Sequence, residues 1–211
     1  MQPLILASTS PRRRELLTLL GQPFAICAPS FEERPVAGVP PVEQVRRFAL
    51  EKARSVAVRQ PDSLVLGSDT VIELDGRMLG KPTDLAEAKV MLTQLAGRAH
   101  YVHSAVALCC VAQQFERVAA ETATVWMKPF QGDAVERYLE TMESLGKAGA
   151  YSIQGEGGRL VSRLEGDYTV VVGLPLRLAA RLLDEAGHPA RIDPDTVYRT
   201  RPYPNWKAFT S

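Results

Sequence analysis

Two long strand-like runs, "HYVHSAVALCCVA" from His100 and "FERVAAETATVWM" from Phe115, are separated only by Gln113 and Gln114. A link that short cannot carry a crossover, which takes a dozen or more residues, so the two runs must be antiparallel neighbours. Around them the hydrophobic spacing alternates between periods. Helix-period segments cover about 11–20, 42–58, 84–95, 132–144 and 175–186. Further strand-like runs cover about 3–7, 64–68, 70–74, 77–79, 159–164 and 168–172. The combination predicts an α/β protein with a mixed, twisted sheet flanked by helices. With 45% hydrophobic residues in 211, the chain can bury one large core. The pattern stops at Gly187. Beyond it "HPARIDPDTVYRTRPYPNWKAFTS" has prolines, scattered aromatics and no period. This divides the chain into a domain over 1–186 and a tail over 187–211, expected to be extended and either mobile or laid along a partner or its own domain.

Composition narrows the function classes. A formal net charge of +1 gives no global field to recruit nucleic acid or an anionic membrane, so neither partner is expected and any basic site must be local. Cys27, Cys109 and Cys110 form no C-x-x-C pair, and their odd number suits reduced core thiols in a cytoplasmic protein. No apolar run approaches the ~18–20 residues of a membrane span, and "LILA" is too short for a signal-peptide core.

Local charge is concentrated in "LASTSPRRRELL". Ser10 and Pro11 have the chemistry of a helix cap and first turn, yet Arg12, Arg13 and Arg14 follow at the positive end of the helix dipole. Each cation there is disfavoured by about 0.3–1 kcal/mol unless something negative lies nearby. Amides, dipole and guanidinium forks together suit a phosphate chain. Arg14 fits a solvated face better, while Arg12 and Arg13 fit an anion site and open solvent equally well on this fragment alone.

Four other segments supply complementary groups. In "LVLGSDTVIELDGRMLGKP" a buried run ends in Asp69, which puts a carboxylate at or just past a strand end. The Asp75-Gly76 turn folds the next two runs together, so that continuing the register brings Lys81 opposite Thr70. On the apolar stripe Val42, Val45, Ala49 and Val56 the same spacing includes Lys52, which either snorkels to the rim or lies on a cleft wall. Glu32 and Glu33 of "FEERP" are solvated acids or a hard-cation ligand. Gln154 of "KAGAYSIQGEGG" is an amide able to pair with a base edge, or part of a surface turn. "GRMLGKP" fails as a P-loop and "GEGGRL" as a dinucleotide fingerprint. His100 and His103 should face opposite sides of one strand, which argues against a histidine metal site. The remaining cations, acids and amide describe a nucleotide polyphosphate site with a divalent metal.

The motifs "LASTSPRRRELL", "FEERP", "EKA", "GSDTV", "LGKP", "GKAGAYSIQG" and "EGDYTVVVGLPL", in this order over about 3–186, resemble the Maf family of septum-formation-protein-like nucleotide pyrophosphatases. The resemblance implies two lobes around a cleft, similar to inosine triphosphate pyrophosphatases, often as a homodimer. It also implies cleavage of nucleoside triphosphates between the α and β phosphates. By motif, Asp69 is similar to the family's catalytic acid/base residue, and Ser8, Arg12, Arg13, Lys52 and Lys81 to its phosphate binders. Glu33 would assist Asp69 in holding Mg²⁺ or Mn²⁺. Arg12, Thr70 and Gln154 match the specificity positions of the branch acting on dTTP and UTP, not the branch acting on 7-methyl-GTP. Glu32 stands where Asp is common, and the tail extends past the family core. A non-catalytic nucleotide-binding regulator of division and a preference for modified purine nucleotides are the alternatives.

Overall fold

The structure, a computed structural model, describes residues 2–130 and 132–209. Its centre is one seven-stranded mixed sheet in the order β2-β1-β3-β5-β6-β7, with β4 hydrogen-bonded to β3 off that path. The strands are β1 (Leu4–Ala7), β2 (Ala25–Ile26), β3 (Leu64–Leu74), β4 (Arg77–Leu79), β5 (Ala99–Cys110), β6 (Phe115–Met127) and β7 (Val161–Glu165). β1 is parallel to both β2 and β3, whereas β3, β5, β6 and β7 pair antiparallel. The long hairpin forms as expected, Cys110 facing Phe115 in its last pair.

Side-chain alternation along the central strands divides the apolar residues between two cores, one on each face. Leu4, Leu6, Leu64 and Leu66 join the larger core, while Ile5, Ala7 and Val65 pack with α2 (Pro41–Ala57). Helices α1 (Pro11–Thr18), α3 (Leu85–Leu95), α4 (Asp133–Glu140) and α6 (Leu176–Glu185) supply buried leucines and other apolar side chains to the larger core. Cys109 and Cys110 are buried free thiols, and Cys27 is half-buried. Among the described residues no helix is long and apolar enough to cross a membrane.

Four expectations need correction. The runs 64–68 and 70–74 are one strand, so Asp69 is not at the end of β3. It lies in a gap at its edge: β1 pairs with β3 only as far as Gly67, and β4 begins only at Ile72. The strand end beside Asp69 is that of β1. Second, "YTVVV" forms a helix, α5 (Tyr168–Val172). Its β-branched composition favours a strand, but Asp167 caps the first turn by accepting from the Thr169 amide at 2.7 Å, and Gly173 at φ 122° ends it. Third, α4 stops at Glu140, short of 144, and the left-handed Met142 (φ 58°) follows. Fourth, the tail is not extended. It forms α7 (Pro194–Thr200) and α8 (Pro204–Ala208) and packs on its own domain, with Val197 and Trp206 in the larger core. Thr210 and Ser211 lie outside the described residues.

Candidate active site

Where β1 ends, the chain turns into α1, and a cleft of about 510 Å³ opens between that turn, β3, α2 and the loop preceding β7. Ser8, Arg12, Arg13, Glu33, Lys52, Asp69, Thr70 and Lys81 all line it. Gln154 does not: it is half-buried just beyond the wall, whereas its neighbours Tyr151, Ser152 and Ile153 are lining residues.

One wall is built on regular elements. Lys52 is carried on the buried stripe of α2 and is itself buried. Its position depends on Gly67, because a Cβ there would meet the Ala49 carbonyl oxygen at 2.2 Å and the Ala53 nitrogen at 2.8 Å. With no side chain in the way, α2 lies close enough to β3 for Lys52 Nζ to donate to Asp69 Oδ1 at 2.7 Å and Glu33 Oε1 at 2.5 Å. Burying an ammonium alone costs several kcal/mol, so two carboxylates are what make this placement tolerable. Lys52 therefore does not snorkel to the rim. Burial by itself would raise the Glu33 carboxyl, but Lys52's charge and hydrogen bond, with Lys81 and Arg13, outweigh it and hold the group below the usual carboxylate range. The loop bearing Glu33 is anchored by Phe31, whose ring centroid is 6.0 Å from that of Phe48 on α2.

Arg13 completes this wall. Its Nη2 lies 3.5 Å from Asp69 Oδ1 and donates to Thr70 Oγ1 at 3.3 Å, while Nε donates to the Gly173 carbonyl at 3.0 Å. The same carbonyl accepts from Ser68 Oγ at 3.1 Å. Thr70 Oγ1 is 2.8 Å from Ser104 Oγ, which donates to the Val170 carbonyl at 2.7 Å. Sequence reasoning missed Gly173, Ser68 and Ser104, because the strand assigned to 168–172 concealed a helix end that offers carbonyls. Ser10 caps α1 as expected, accepting from the Arg13 amide at 3.4 Å, and Ser8 Oγ accepts from the Ser10 amide at 3.1 Å. The hairpin register holds from Leu74–Arg77 to Ile72–Leu79. It ends there, and the Gly80 carbonyl accepts from the Gly149 amide at 3.0 Å, so Lys81 enters the cleft as an exposed residue and not as Thr70's partner.

The opposite wall is made of loop. Lys147, Ala148 and Tyr151 line it, and none of them stood out in the sequence as a site residue. The lysine in "KAGAY" was a usable signal. Burial, then Arg12's charge, pushes the Lys147 ammonium down, and Glu143 partly offsets this. Arg12 is shifted down by burial and by Arg13, again with partial compensation from Glu143. Tyr151 is fixed from beneath by His100, whose Nε2 lies 2.8 Å from the phenol oxygen. His103 bonds Thr122 and Glu73 instead, so the two histidines serve separate networks.

Among the described residues no group of three or more His, Cys, Asp or Glu gathers to hold a metal unaided. Glu33 and Asp69 are nonetheless joined through one ammonium, and the buried Asp69 Oδ2 has no hydrogen-bond partner. Two hard carboxylate donors with an open oxygen fit a cation whose remaining ligands are phosphate oxygens and water.

The chain is 48% identical over 189 residues to a Symbiobacterium thermophilum protein named dTTP/UTP pyrophosphatase, covering 90% of this chain and 96% of that one. It is 47% identical over 183 residues to a Vibrio parahaemolyticus protein of the same name, covering 86% and 96%. A solved Staphylococcus aureus Ham1 protein aligns with 62% of this chain and 74% of its own at 14% identity and a TM-score of 0.45. Residues 3–186 match the family described as Maf-like protein, and the chain belongs to that family.

Proposed function

We propose that this protein hydrolyses dTTP and UTP to the nucleoside monophosphate and pyrophosphate. The observation that carries the reading is the Asp69 carboxylate, whose Oδ1 is held by Lys52 and Arg13 while the buried Oδ2 has no partner. Relatives sharing nearly half of the sequence over about nine-tenths of the chain, and named dTTP/UTP pyrophosphatase, supply the substrate class.

A triphosphate carries about four negative charges, and the cleft answers them with Arg13, Lys52 and Lys81. In this mechanism the α1 amino end and Ser8 bind phosphate oxygens. Asp69 orients a water against the α phosphorus and accepts its proton as the new P–O bond forms. The bond to the bridging oxygen breaks, and the cations hold the departing pyrophosphate. Glu33 and Asp69 would hold Mg²⁺ or Mn²⁺, which supplies further neutralisation of the phosphate charge when bound. Arg12, Thr70 and Gln154 discriminate at the nucleoside end. The acid poised among cations favours an enzyme over a regulator, and the relatives' names favour pyrimidine over purine triphosphates.

Product analysis tests the reading. Incubation of the purified protein with dTTP and Mg²⁺ should release dTMP and pyrophosphate in equal amounts, with kcat/KM for dTTP and UTP above that for dGTP or 7-methyl-GTP. Tight dTTP binding without products would favour the regulator, and a purine preference would move the protein to the other branch.

A further inference from the structure

The C-terminal segment lies outside the matched residues 3–186, yet one of its side chains reaches the loop behind the cleft. Asn205, the second residue of α8, donates from the same nitrogen to the Ile153 carbonyl at 2.8 Å and to the Gly155 carbonyl at 2.9 Å. Those two carbonyls bracket Gln154. Asn205 Nδ2 also occupies the space beside Gly158, where a Cβ would come within 2.6 Å of it.

The tail is well placed to hold that grip. Trp206, the next residue, is 2% exposed and stacks on Tyr168 with ring centroids 5.1 Å apart and an interplanar angle of 12°. Tyr198 of α7 donates to Asp167, the cap of α5, and the Arg191 and Ile192 amides donate to the Leu20 carbonyl at 3.0 and 3.1 Å. The loop is gripped from its other side by Glu143, which accepts from the Glu156 amide at 2.8 Å. Its carboxylate lies so close over Gly155 that a Cβ there would fall 2.0 Å from Oε1. Between these contacts, residues 153–156 have little freedom, although their backbone belongs to no strand of the sheet.

We infer that Asn205 is a positioning residue for the nucleoside end of the cleft: the tail, through its amide, sets where Gln154 and the Tyr151–Ile153 wall stand relative to Arg12. The inference rests on the proposed pyrimidine triphosphate reading for its ligand, and its contact with the loop is independent of it. The phosphate-facing groups are carried by β3, α2, α1 and the segment after β4, whereas Asn205 bonds only the Ile153 and Gly155 carbonyls, so the tail's effect should be confined to ligands that contain a nucleoside.

The test uses Asn205→Leu, which keeps the side-chain size and removes the donor, and Asn205→Asp, which puts an acceptor against two carbonyls. Both leave Trp206 in place, so folding can be checked by thermal unfolding, whereas removal of the whole tail would uncover Tyr168. Amide hydrogen exchange across 152–158 should accelerate about tenfold or more in both variants while exchange in β3 is unchanged. By calorimetric titration with Mg²⁺ present, dTMP affinity should fall about tenfold, while pyrophosphate affinity stays within about twofold. Unchanged exchange in the loop, or dTMP and pyrophosphate weakened equally, would overturn the inference. A wild-type protein that makes no dTMP from dTTP would sink the proposed activity instead, and the exchange arm would still decide whether Asn205 holds the loop.

Discussion

The two walls of the cleft solve opposite electrostatic problems. On the wall formed by β3 and α2, charge is already matched: Lys52 meets two carboxylates, and Arg13 meets Asp69, Thr70 and Gly173. On the opposite side, Arg12 at the start of α1 and Lys147 on the loop are shifted down by burial and by neighbouring positive charge, and Glu143 offsets this only in part. The first wall is organised before any ligand arrives. The second gains when a ligand brings carbonyl or phosphate oxygens to it. Preorganised charge suits the chemical step, where moving dipoles during reaction would cost rate, while an incompletely balanced wall suits recognition.

That contrast can be broken most severely at Asp69. Asp69→Asn keeps the shape but not the proton acceptor, and kcat for dTTP should fall about 10²–10⁴-fold. Turnover close to wild type in a steady-state assay would remove the preorganised acid from the chemistry.

A second comparison sets the two lysines against each other. Lys52→Met leaves Asp69 and Glu33 without their shared counter-charge, and urea unfolding should show a loss of about 3–5 kcal/mol. Lys147→Met removes a cation that lies among other positive charge, so its cost should stay below about 1 kcal/mol. Equal losses would mean that the walls do not differ as described.

A third comparison concerns pH. Burial drives His100, which holds Tyr151 on the loop wall, from 6.5 down to about 4. Because the folded value is the lower one, the unfolded chain binds the extra proton between them. The stability His100 contributes is therefore complete above about pH 6.5 and disappears as pH falls toward 4. Over that window the wild type should lose on the order of 2 kcal/mol more than His100→Gln, measured by unfolding at each pH. Parallel curves would show that this anchor is not what titrates.

How much could be read beforehand varied with the range of the interaction. The hairpin of β5 and β6, the cap at Ser10 and the Asp75-Gly76 turn are local, and their residues carry the signal within a few positions. Lys52 was ambiguous, since a lysine on an apolar stripe has the same spacing whether it snorkels or faces a cleft. Only the carboxylates brought from 33 and 69 resolve it. Composition misled at 168–172: three adjacent valines favour a strand, yet Asp167, Gly173 and packing against β5 and β6 impose a helix. Asn205 was not singled out because nothing near it in the chain distinguishes it from a surface residue, and Lys147 had only its place in "KAGAY" as a signal.

By itself, then, the sequence determined most element types within 3–186, the mixed sheet and the chemical character of the motifs, because periodicity, caps and turns act over a few residues. Tertiary structure alone decided that β1 ends where β3 has an uncovered edge, that Asp69 lies in that gap, and that the tail folds back to hold the loop around Gln154. Those outcomes join residues far apart in the chain through close backbone approach and burial, and no local pattern encodes which distant carbonyl or carboxylate a given side chain will meet.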